Sequence, residues 1–289
     1  MCGIGLGHRR LAIIDLYTGH QPMQDAQKRL QVLNNGEIYN YRELRQTLEA
    51  KGHPFLTQSD TEAILQGYHA WGDAMLSRLT GMFATALWDI EAGRLLLARD
   101  PMGEKPLYYC ITGDDWLLFG SEINAVLAGL PETPPIRPDA VADYFAYGYV
   151  PDPKSIFEGI YKLEPGHKLV LERGMSRDQV KSEPYWRLSA ATGPALTPEQ
   201  AEGELLERLG KAVRERMVSD VPLGAFLSGG VDSSGIVALM AQASDTPVRT
   251  CAMGFPDPKY DETAYAQMVA DRYATDHYRE VVEVEAVDL

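Results

Sequence analysis

The stretch GAFLSGGVDSS, residues 224–234, constrains the fold more than any other part of the chain. A short apolar segment runs into two glycines and a group of serines, and a helix-like segment follows. The same order of strand and helix continues in PVRTCAMGF, DETAYAQMVADRYA and HYREVVEV. Strands that alternate with helices predict a parallel sheet with helical cover, because parallel strands need long crossover connections.

A linker divides the chain into two predicted domains, residues 1–190 and 191–289. The stretch LSAATGPALTPEQ is rich in small residues and proline, which is typical of a connection between domains. Thr197 and Gln200 have the spacing of a capping box and Pro198 takes the first helical position, so a long helix is predicted after the linker. The length of 289 residues is enough for two domains of ordinary size.

The first predicted domain combines strand and helix signals. Strand-like apolar residues occur at residues 10–15 (RLAIID) and in LQVLNNGEIYN, and two hairpins are predicted, with turns at 91–93 and 113–115. Helices are predicted over YRELRQTLEAKG and SDTEAILQGYHAWG. Each of these helices has residues in capping-box spacing at its start: Asn40 with Glu43, and Ser59 with Glu62.

Charge and cysteine content exclude several classes of protein. The net charge of −14 and pI of about 4.9 argue against nucleic acid and anionic membranes as partners. The sequence shows neither a signal peptide nor an apolar run long enough to span a membrane. Cys2, Cys110 and Cys251 are odd in number and far apart, which argues against a disulfide framework or paired-cysteine zinc site and indicates a reducing cytoplasm.

The loop SGGVDSS has the composition of an anion-binding loop. Glycines let a backbone approach a phosphate, and the N-terminus of the following helix presents unpaired N–H groups. Asp232 inside such a loop indicates a metal ion between its carboxylate and the phosphate. The loop lacks both the Walker A lysine and the G-x-G-x-x-G pattern. A plain glycine turn with Ser and Asp as helix caps is the alternative interpretation.

Several segments, in order along the chain, resemble one family. LSGGVDSS resembles the pyrophosphate loop of ATP pyrophosphatases, and MCGI, HRRLAIID, NNGEIYNYRELR, SDTEAIL, GMFATALWD and DETAYAQMVA resemble glutamine-hydrolysing asparagine synthetases. GEKPLYY and YFAYGYVPDPKSIFEGIYKLEPGH are most similar to the branch associated with exosortase systems. The resemblance implies an α+β N-terminal nucleophile glutaminase domain, an αββα sandwich, followed by the start of an α/β parallel-sheet ATP-pyrophosphatase domain.

The resemblance gives Cys2 a catalytic role. Removal of Met1 would leave Cys2 with a free α-amino group, whose pKa of about 7.7–8.0 suits it to take the thiol proton. The thiolate would attack the glutamine side-chain amide, release ammonia and leave a thioester for water to hydrolyse. Taken alone, a cysteine at position two is equally typical of an incidental small residue.

The remaining glutaminase residues are also assigned by the resemblance. Arg10 matches the arginine that pairs with the glutamine α-carboxylate. Asn35 and Gly36 match the oxyanion hole, and Glu37 and Asp60 match residues that hold the substrate amino group. The alternatives from sequence alone are a surface arginine for Arg10, an Asn-Gly turn for Asn35 and Gly36, and a helix cap for Asp60.

In the second domain the resemblance predicts an ATP site with Mg²⁺ at Asp232. Phe226 and Met253 match positions of the adenine pocket, although core packing is an equally good interpretation of both. The pyrophosphate loop is assigned these residues: Ser228, Gly229, Gly230, Asp232, Ser233 and Ser234.

The sequence departs from the family pattern in two places. A family segment between MCGI and GLGHRRL has no counterpart after Ile4, and the chain stops at Leu289, shortly after the synthetase domain begins. We therefore expect the second domain, residues 191–289, to be truncated and the physical protein to be longer.

The function predicted is a glutamine-dependent amidotransferase of asparagine biosynthesis. Glutamine would supply ammonia to a carboxylate acceptor, aspartate or a related compound, that ATP has adenylated, with release of AMP and pyrophosphate. A homodimer is compatible with this interpretation. Two alternatives remain open at this point: a stand-alone glutaminase or other N-terminal nucleophile hydrolase, and a non-catalytic nucleotide-binding scaffold.

Overall fold

The computed structural model describes residues 3–190, 193 and 195–282. The chain forms two compact units, Met1–Ala191 and Thr192–Leu289, and each is described separately below. No helix in the described ranges is long and apolar enough to cross a membrane. The elements of the first unit are, in chain order: β1 (Met23–Gln24), β2 (Leu30–Ile38), α1 (Tyr41–Glu49), α2 (Thr61–Trp71), β3 (Gly81–Asp89), β4 (Arg94–Arg99), β5 (Tyr108–Ile111), β6 (Leu117–Gly120), α3 (Ile123–Leu127), α4 (Pro138–Tyr147), β7 (Ile160–Lys162), β8 (His167–Glu172) and β9 (Ser182–Pro184).

Two antiparallel sheets form the centre of the first unit. The larger sheet has the strand order β1-β2-β3-β4-β8-β9 and the smaller sheet has the order β6-β5-β7. Their facing residues share one apolar cluster, to which Ala84, Ala86, Leu107 and Leu163 belong. Helix α2 packs on β2, and α3 packs on β5 and β6. The order helix, sheet, sheet, helix confirms the predicted α+β sandwich.

The structure confirms the predicted hairpins and helices of this unit, but the strand predicted at residues 10–15 does not form. Residues 10–15 form a loop. Asp15 has a φ of +55°, and its carboxylate accepts hydrogen bonds from the N–H groups of Thr18 at 2.8 Å and Gln58 at 3.1 Å. The Arg10 guanidinium donates to the Ile14 and Asp15 carbonyls. These local polar contacts fold the segment back on itself and compete with an extended conformation.

Both capping boxes predicted in this unit are also wrong. Asn40 makes no cap hydrogen bond to α1, because its side chain accepts from Thr80 N–H and donates to the Arg78 carbonyl. The carboxylate of Glu62 accepts from the N–H groups of Leu56 and Thr57 instead of reaching back to the start of α2. Both side chains therefore secure neighbouring loops.

Asp100 is a fully buried carboxylate that organises the loop after β4. Its neighbour Arg99 is fixed by donation to the carbonyls of Gly103, Lys105 and Leu163 and to the carboxylate of Asp152. Four backbone N–H groups donate to the Asp100 oxygens at 2.9–3.2 Å: those of Phe83, Met102, Glu104 and Lys105.

The second unit is built on a parallel three-stranded sheet, as predicted. Its strands run in the order β10-β11-β12, and both pairings are parallel. Thr197 and Gln200 form the predicted capping box with Pro198 in the first turn. Leu227, Val237, Ala252 and Ala266 belong to one buried cluster beneath the sheet. The elements are: α5 (Pro198–Arg216), β10 (Gly224–Phe226), α6 (Val231–Ala243), β11 (Arg249–Gly254), α7 (Thr263–Tyr273) and β12 (Asp276–Val281).

Replacing Asp100 should destabilise the first unit. Asp100→Asn puts an NH₂ group where one oxygen accepts two N–H donors, so we expect the free energy of unfolding to fall by about 2–3 kcal/mol. All four tryptophans lie in this unit, so fluorescence during urea unfolding reports on it. Asp178→Asn, at an exposed position, is the control and should leave the midpoint unchanged. Equal stability of Asp100→Asn and wild type would show that the carboxylate does not organise the loop.

Candidate active site

A cavity of about 120 Å³ in the first unit brings together the predicted glutaminase residues that the structure describes. Cys2 lies outside the described residues. The cavity is open to solvent on one side and is lined mainly by polar groups. Five of its lining residues are those predicted from the sequence: Arg10, Asn35, Gly36, Glu37 and Asp60.

The end of β2 supplies three of these residues through an unusually close strand pairing. Gly36 lies opposite Phe83 of β3 and has a φ of +139°, a conformation that favours glycine. A Cβ atom at Gly36 would lie 1.9 Å from the carbonyl oxygen of Met82, so no side chain fits. Asn35 and Gly36 therefore belong to a paired strand, and the interpretation of this dipeptide as a plain Asn-Gly turn is wrong.

Asp60 is a buried carboxylate directly before α2. Its oxygen accepts a hydrogen bond of 2.8 Å from the N–H of Ile38, which ties the helix start to the end of β2. Asp60 occupies the N-cap position of α2 but makes no side-chain cap hydrogen bond to the helix. Burial raises the pKa of Asp60 to about 6, and the neighbouring carboxylate of Glu37 adds to this effect.

The cavity contains charges of both signs. Burial raises the pKa of Glu37, while the charges of Lys105 and Arg10 oppose that shift. Burial also lowers the pKa of His8, and Arg10 lowers it further, which favours a neutral imidazole beside the guanidinium. Three cationic residues, Arg9, Arg10 and Lys105, line the cavity together with the two carboxylates. Groups of both signs make the cavity complementary to a zwitterion, which carries one charge of each sign.

Gln21 and Lys105 are among the residues of this cavity to which sequence reasoning gave no role. Lys105 lies in GEKPLYY, a segment used above for the resemblance but without a role for its lysine. Its backbone is held on both sides, because its N–H donates to Asp100 and its carbonyl accepts from Arg99. The sequence did not indicate a role for Gln21, because its partner in β2, Asn34, lies thirteen residues further along the chain.

In the second unit, the loop between β10 and α6 is held by its own serines. Ser233 Oγ lies 3.0 Å from Ser228 Oγ and donates to the carbonyl of Gly230 at 3.3 Å. Gly230 is the N-cap of α6 and makes no side-chain cap, so the N–H groups of the first turn stay available for an anion. Ser234 Oγ is buried without a hydrogen-bond partner in the structure.

The other predicted nucleotide-site residues of this unit lie nearby in the sheet. Gly229 has a φ of +82°, and a Cβ there would lie 2.5 Å from the backbone of Tyr265 in α7. Phe226 and Met253 lie at or next to the carboxyl ends of β10 and β11, where ligands bind in open α/β sheets. They are 81% and 58% exposed, so core packing does not explain them. Asp232 lies in the first turn of α6 and is exposed.

Comparison with protein families identifies both units. A glutamine amidotransferase domain model matches residues 2–186, and an asparagine synthase model matches residues 204–288. The chain belongs to the family of proteins with this glutamine amidotransferase domain, and its second unit matches the asparagine synthase family. The closer resemblance to the exosortase-associated branch stays a prediction.

Curated relatives of this family match almost the whole chain. A Methanocaldococcus jannaschii protein, named as glutamine-hydrolysing asparagine synthetase 2, is 37% identical over 95% of this chain and 55% of its own length. Asparagine synthetase 1 of Bacillus subtilis is 35% identical over 98% of this chain and 44% of its own length. The chain thus spans about half the length of these relatives. A solved B. subtilis glutamine phosphoribosylpyrophosphate amidotransferase aligns at 17% identity and a TM-score of 0.41, covering 91% of this chain and 73% of that one.

The raised pKa of Asp60 predicts how stability depends on pH. Between the ordinary pKa near 3.8 and the folded value of about 6, the native state binds more protons than the unfolded state, so stability should fall as pH rises through this range. The asparagine side chain of Asp60→Asn can still accept the hydrogen bond from Ile38 N–H, but it has no carboxyl group that titrates. Relative to Asp60→Asn, wild type should lose about 2 kcal/mol of unfolding free energy between pH 4 and pH 6. Tryptophan-monitored urea unfolding at both pH values measures this difference, and parallel pH profiles would contradict it.

Proposed function

We propose that this protein hydrolyses glutamine at Cys2 and directs the ammonia to an ATP-activated carboxylate, as an amidotransferase of the asparagine synthetase type. The observation that carries the proposal is the cavity of the first unit. Arg10, the strand residues Asn35, Gly36 and Glu37, and Asp60 come from three separate segments of the chain, yet all of them line this one small polar cavity.

The proposed glutaminase reaction uses one residue as both nucleophile and base. After removal of Met1, the α-amine of Cys2 takes the thiol proton, and the thiolate attacks the amide carbon of glutamine. Asn35 and the Gly36 N–H stabilise the negative charge that develops on the amide oxygen. Ammonia leaves, and water then hydrolyses the γ-glutamyl thioester to glutamate and the free thiol.

The charged groups of the cavity select an amino acid. Arg10 pairs with the α-carboxylate, because a guanidinium offers several N–H donors in one plane. Two of its nitrogens donate to the Ile14 and Asp15 carbonyls, which fixes the direction of the side chain. Glu37 and Asp60 bind the α-ammonium group. Since Asp60 has a pKa of about 6, glutamine binding should weaken as the pH falls below that value.

The proposed synthetase site is the serine-held loop of the second unit. The N-terminus of α6, Ser228 and the unpartnered Ser234 Oγ suit the phosphates of ATP. In the described part of the chain no cluster of three His, Cys, Asp or Glu residues could hold a metal. A single carboxylate at Asp232 still fits Mg²⁺, because this ion takes most of its ligands from nucleotide phosphates and water. Such an ion would neutralise charge on the pyrophosphate that leaves.

The acceptor, partners and location complete the proposal. We propose aspartate or a related carboxylate as acceptor, with AMP and pyrophosphate as products, and a homodimer as the assembly. Cys110 and Cys251 are free thiols, which supports a reducing location such as the cytoplasm. Nucleic acid and membrane surfaces are not proposed as partners, because the chain carries a net charge of −14.

The substitution Cys2→Ala should abolish glutamine hydrolysis, because it removes the nucleophile and leaves the substrate clamp in place. Glutamate release from glutamine measures the activity, and circular dichroism confirms that the variant is folded. Cys251→Ser is the matched control and should retain wild-type activity, since Cys251 lies in the second unit. Glutamate release by Cys2→Ala at the wild-type rate would exclude the proposed mechanism.

A second substitution tests the proposed magnesium position. Wild type should bind inorganic pyrophosphate more tightly with Mg²⁺ than without it, and Asp232→Asn should reduce this difference by about tenfold in Kd, as expected for loss of one charged ligand. Calorimetric titrations with and without Mg²⁺ measure the difference. Asp245→Asn, at an exposed position beyond α6, is the control. An undiminished magnesium effect in Asp232→Asn would remove that residue from the site.

A further inference from the structure

The side chain of Gln21 takes the place of a strand residue beside β2. Strand β1 pairs with β2 only at Met23 opposite Val32 and Gln24 opposite Gln31. Two residues further along β2, the N–H of Asn34 donates to Gln21 Oε1 at 2.6 Å, and Gln21 Nε2 donates to the carbonyl of Asn34 at 3.1 Å. One primary amide thus makes both hydrogen bonds that a neighbouring strand would make.

The amide satisfies backbone groups that water cannot reach. Asn34 is 2% exposed, so its N–H and carbonyl would be left without partners if the Gln21 amide were removed. On its opposite edge, β2 is already held by β3, with Asn34 opposite Thr85. On the edge of β2 that faces away from β3, the position of the Asn34 backbone therefore depends on a single side chain, that of Gln21.

Two further contacts carry this restraint to the groups of the cavity. The Asn34 side-chain amide donates to the carbonyl of Gly36 at 3.1 Å. Gln21 Nε2 also lies 3.4 Å from Oγ1 of Thr61, the first residue of α2 and the neighbour of Asp60. Gln21 thus connects the strand that carries Asn35 and Gly36 with the helix start that carries Asp60.

We propose that Gln21 is a positioning residue for the oxyanion hole, holding Asn35 and Gly36 where the charge on the substrate amide oxygen develops. The proposal rests on the proposed glutaminase function. Oxyanion stabilisation depends on donors that are already in position, so a small displacement of β2 lowers turnover. The α-carboxylate and α-ammonium groups of glutamine are bound by Arg10, Glu37 and Asp60, so affinity for glutamine should change less.

The test compares Gln21→Met with Gln24→Met in the whole chain. Methionine has nearly the length of glutamine but makes neither hydrogen bond, and Gln24 is an exposed residue of β1. Gln21→Met should lower kcat for glutamine hydrolysis by about 10–100-fold and change KM by less than about threefold, because a displaced oxyanion donor acts mainly on the transition state. Gln24→Met should match wild type. Gln21→Glu keeps an acceptor for Asn34 N–H but places a second acceptor oxygen against the Asn34 carbonyl, so its kcat should also fall below that of wild type.

A second measurement separates positioning from general damage to the cavity. The rate at which iodoacetamide alkylates Cys2, followed by mass spectrometry of the N-terminal peptide, does not depend on an oxyanion hole. It should be the same in wild type and Gln21→Met, and a changed rate would mean that the substitution disturbs the nucleophile, which overturns the proposal. A wild-type kcat in folded Gln21→Met overturns it as well. If Gln21→Met does not fold, Gln21→Glu decides by the same criteria. Absence of glutamine hydrolysis in wild type would instead refute the proposed function.

Discussion

The close approach of β2 and β3 is the constraint on which the site of the first unit depends. A Cβ at Gly36 would meet the Met82 carbonyl at 1.9 Å, and a Cβ at Gly81 would meet the Glu37 carbonyl at 2.1 Å. Glycine on both strands lets the two backbones come this near. The approach fixes the directions in which Asn35 and Glu37 leave the strand, and Asp60 is joined to the same place by its hydrogen bond to Ile38 N–H. The cavity is therefore built on backbone geometry.

Two buried carboxylates, Asp100 and Asp60, hold backbone segments next to this site. Asp100 accepts only backbone N–H groups, and it holds the loop that brings Lys105 to the cavity. Asp60 accepts a short hydrogen bond from Ile38 N–H and a long one of 3.4 Å from Ser59 Oγ, and its burial raises its pKa to about 6. The two residues have the same chemistry, but the number of donors around each one differs. Asp100 is suited to a structural role, while Asp60 retains capacity to bind a cation.

Local sequence patterns predicted those helices and strands for which the residue pattern and the tertiary packing favour the same conformation. The apolar runs of β3 and β4 and the turn between them form the expected hairpin. The capping box of Thr197 and Gln200 forms as predicted at the exposed start of α5. Asn40 and Glu62 also belong to pairs with capping-box spacing, but backbone N–H groups of neighbouring loops donate to their side chains, and these contacts replace the caps.

The sequence by itself determined the family, the parallel order of the second unit and the residue types of both candidate sites, because each depends on motifs of adjacent residues. The tertiary structure alone decided which residues meet. It showed that residues 10–15 form a loop, brought Lys105 to Glu37, and placed the Gln21 amide against Asn34. The contacts of Lys105 and Gln21 join separate segments of the chain, so no pattern of adjacent residues predicts them. The pKa of Asp60 is likewise set by burial, which exists only once strand, helix and loop have packed together.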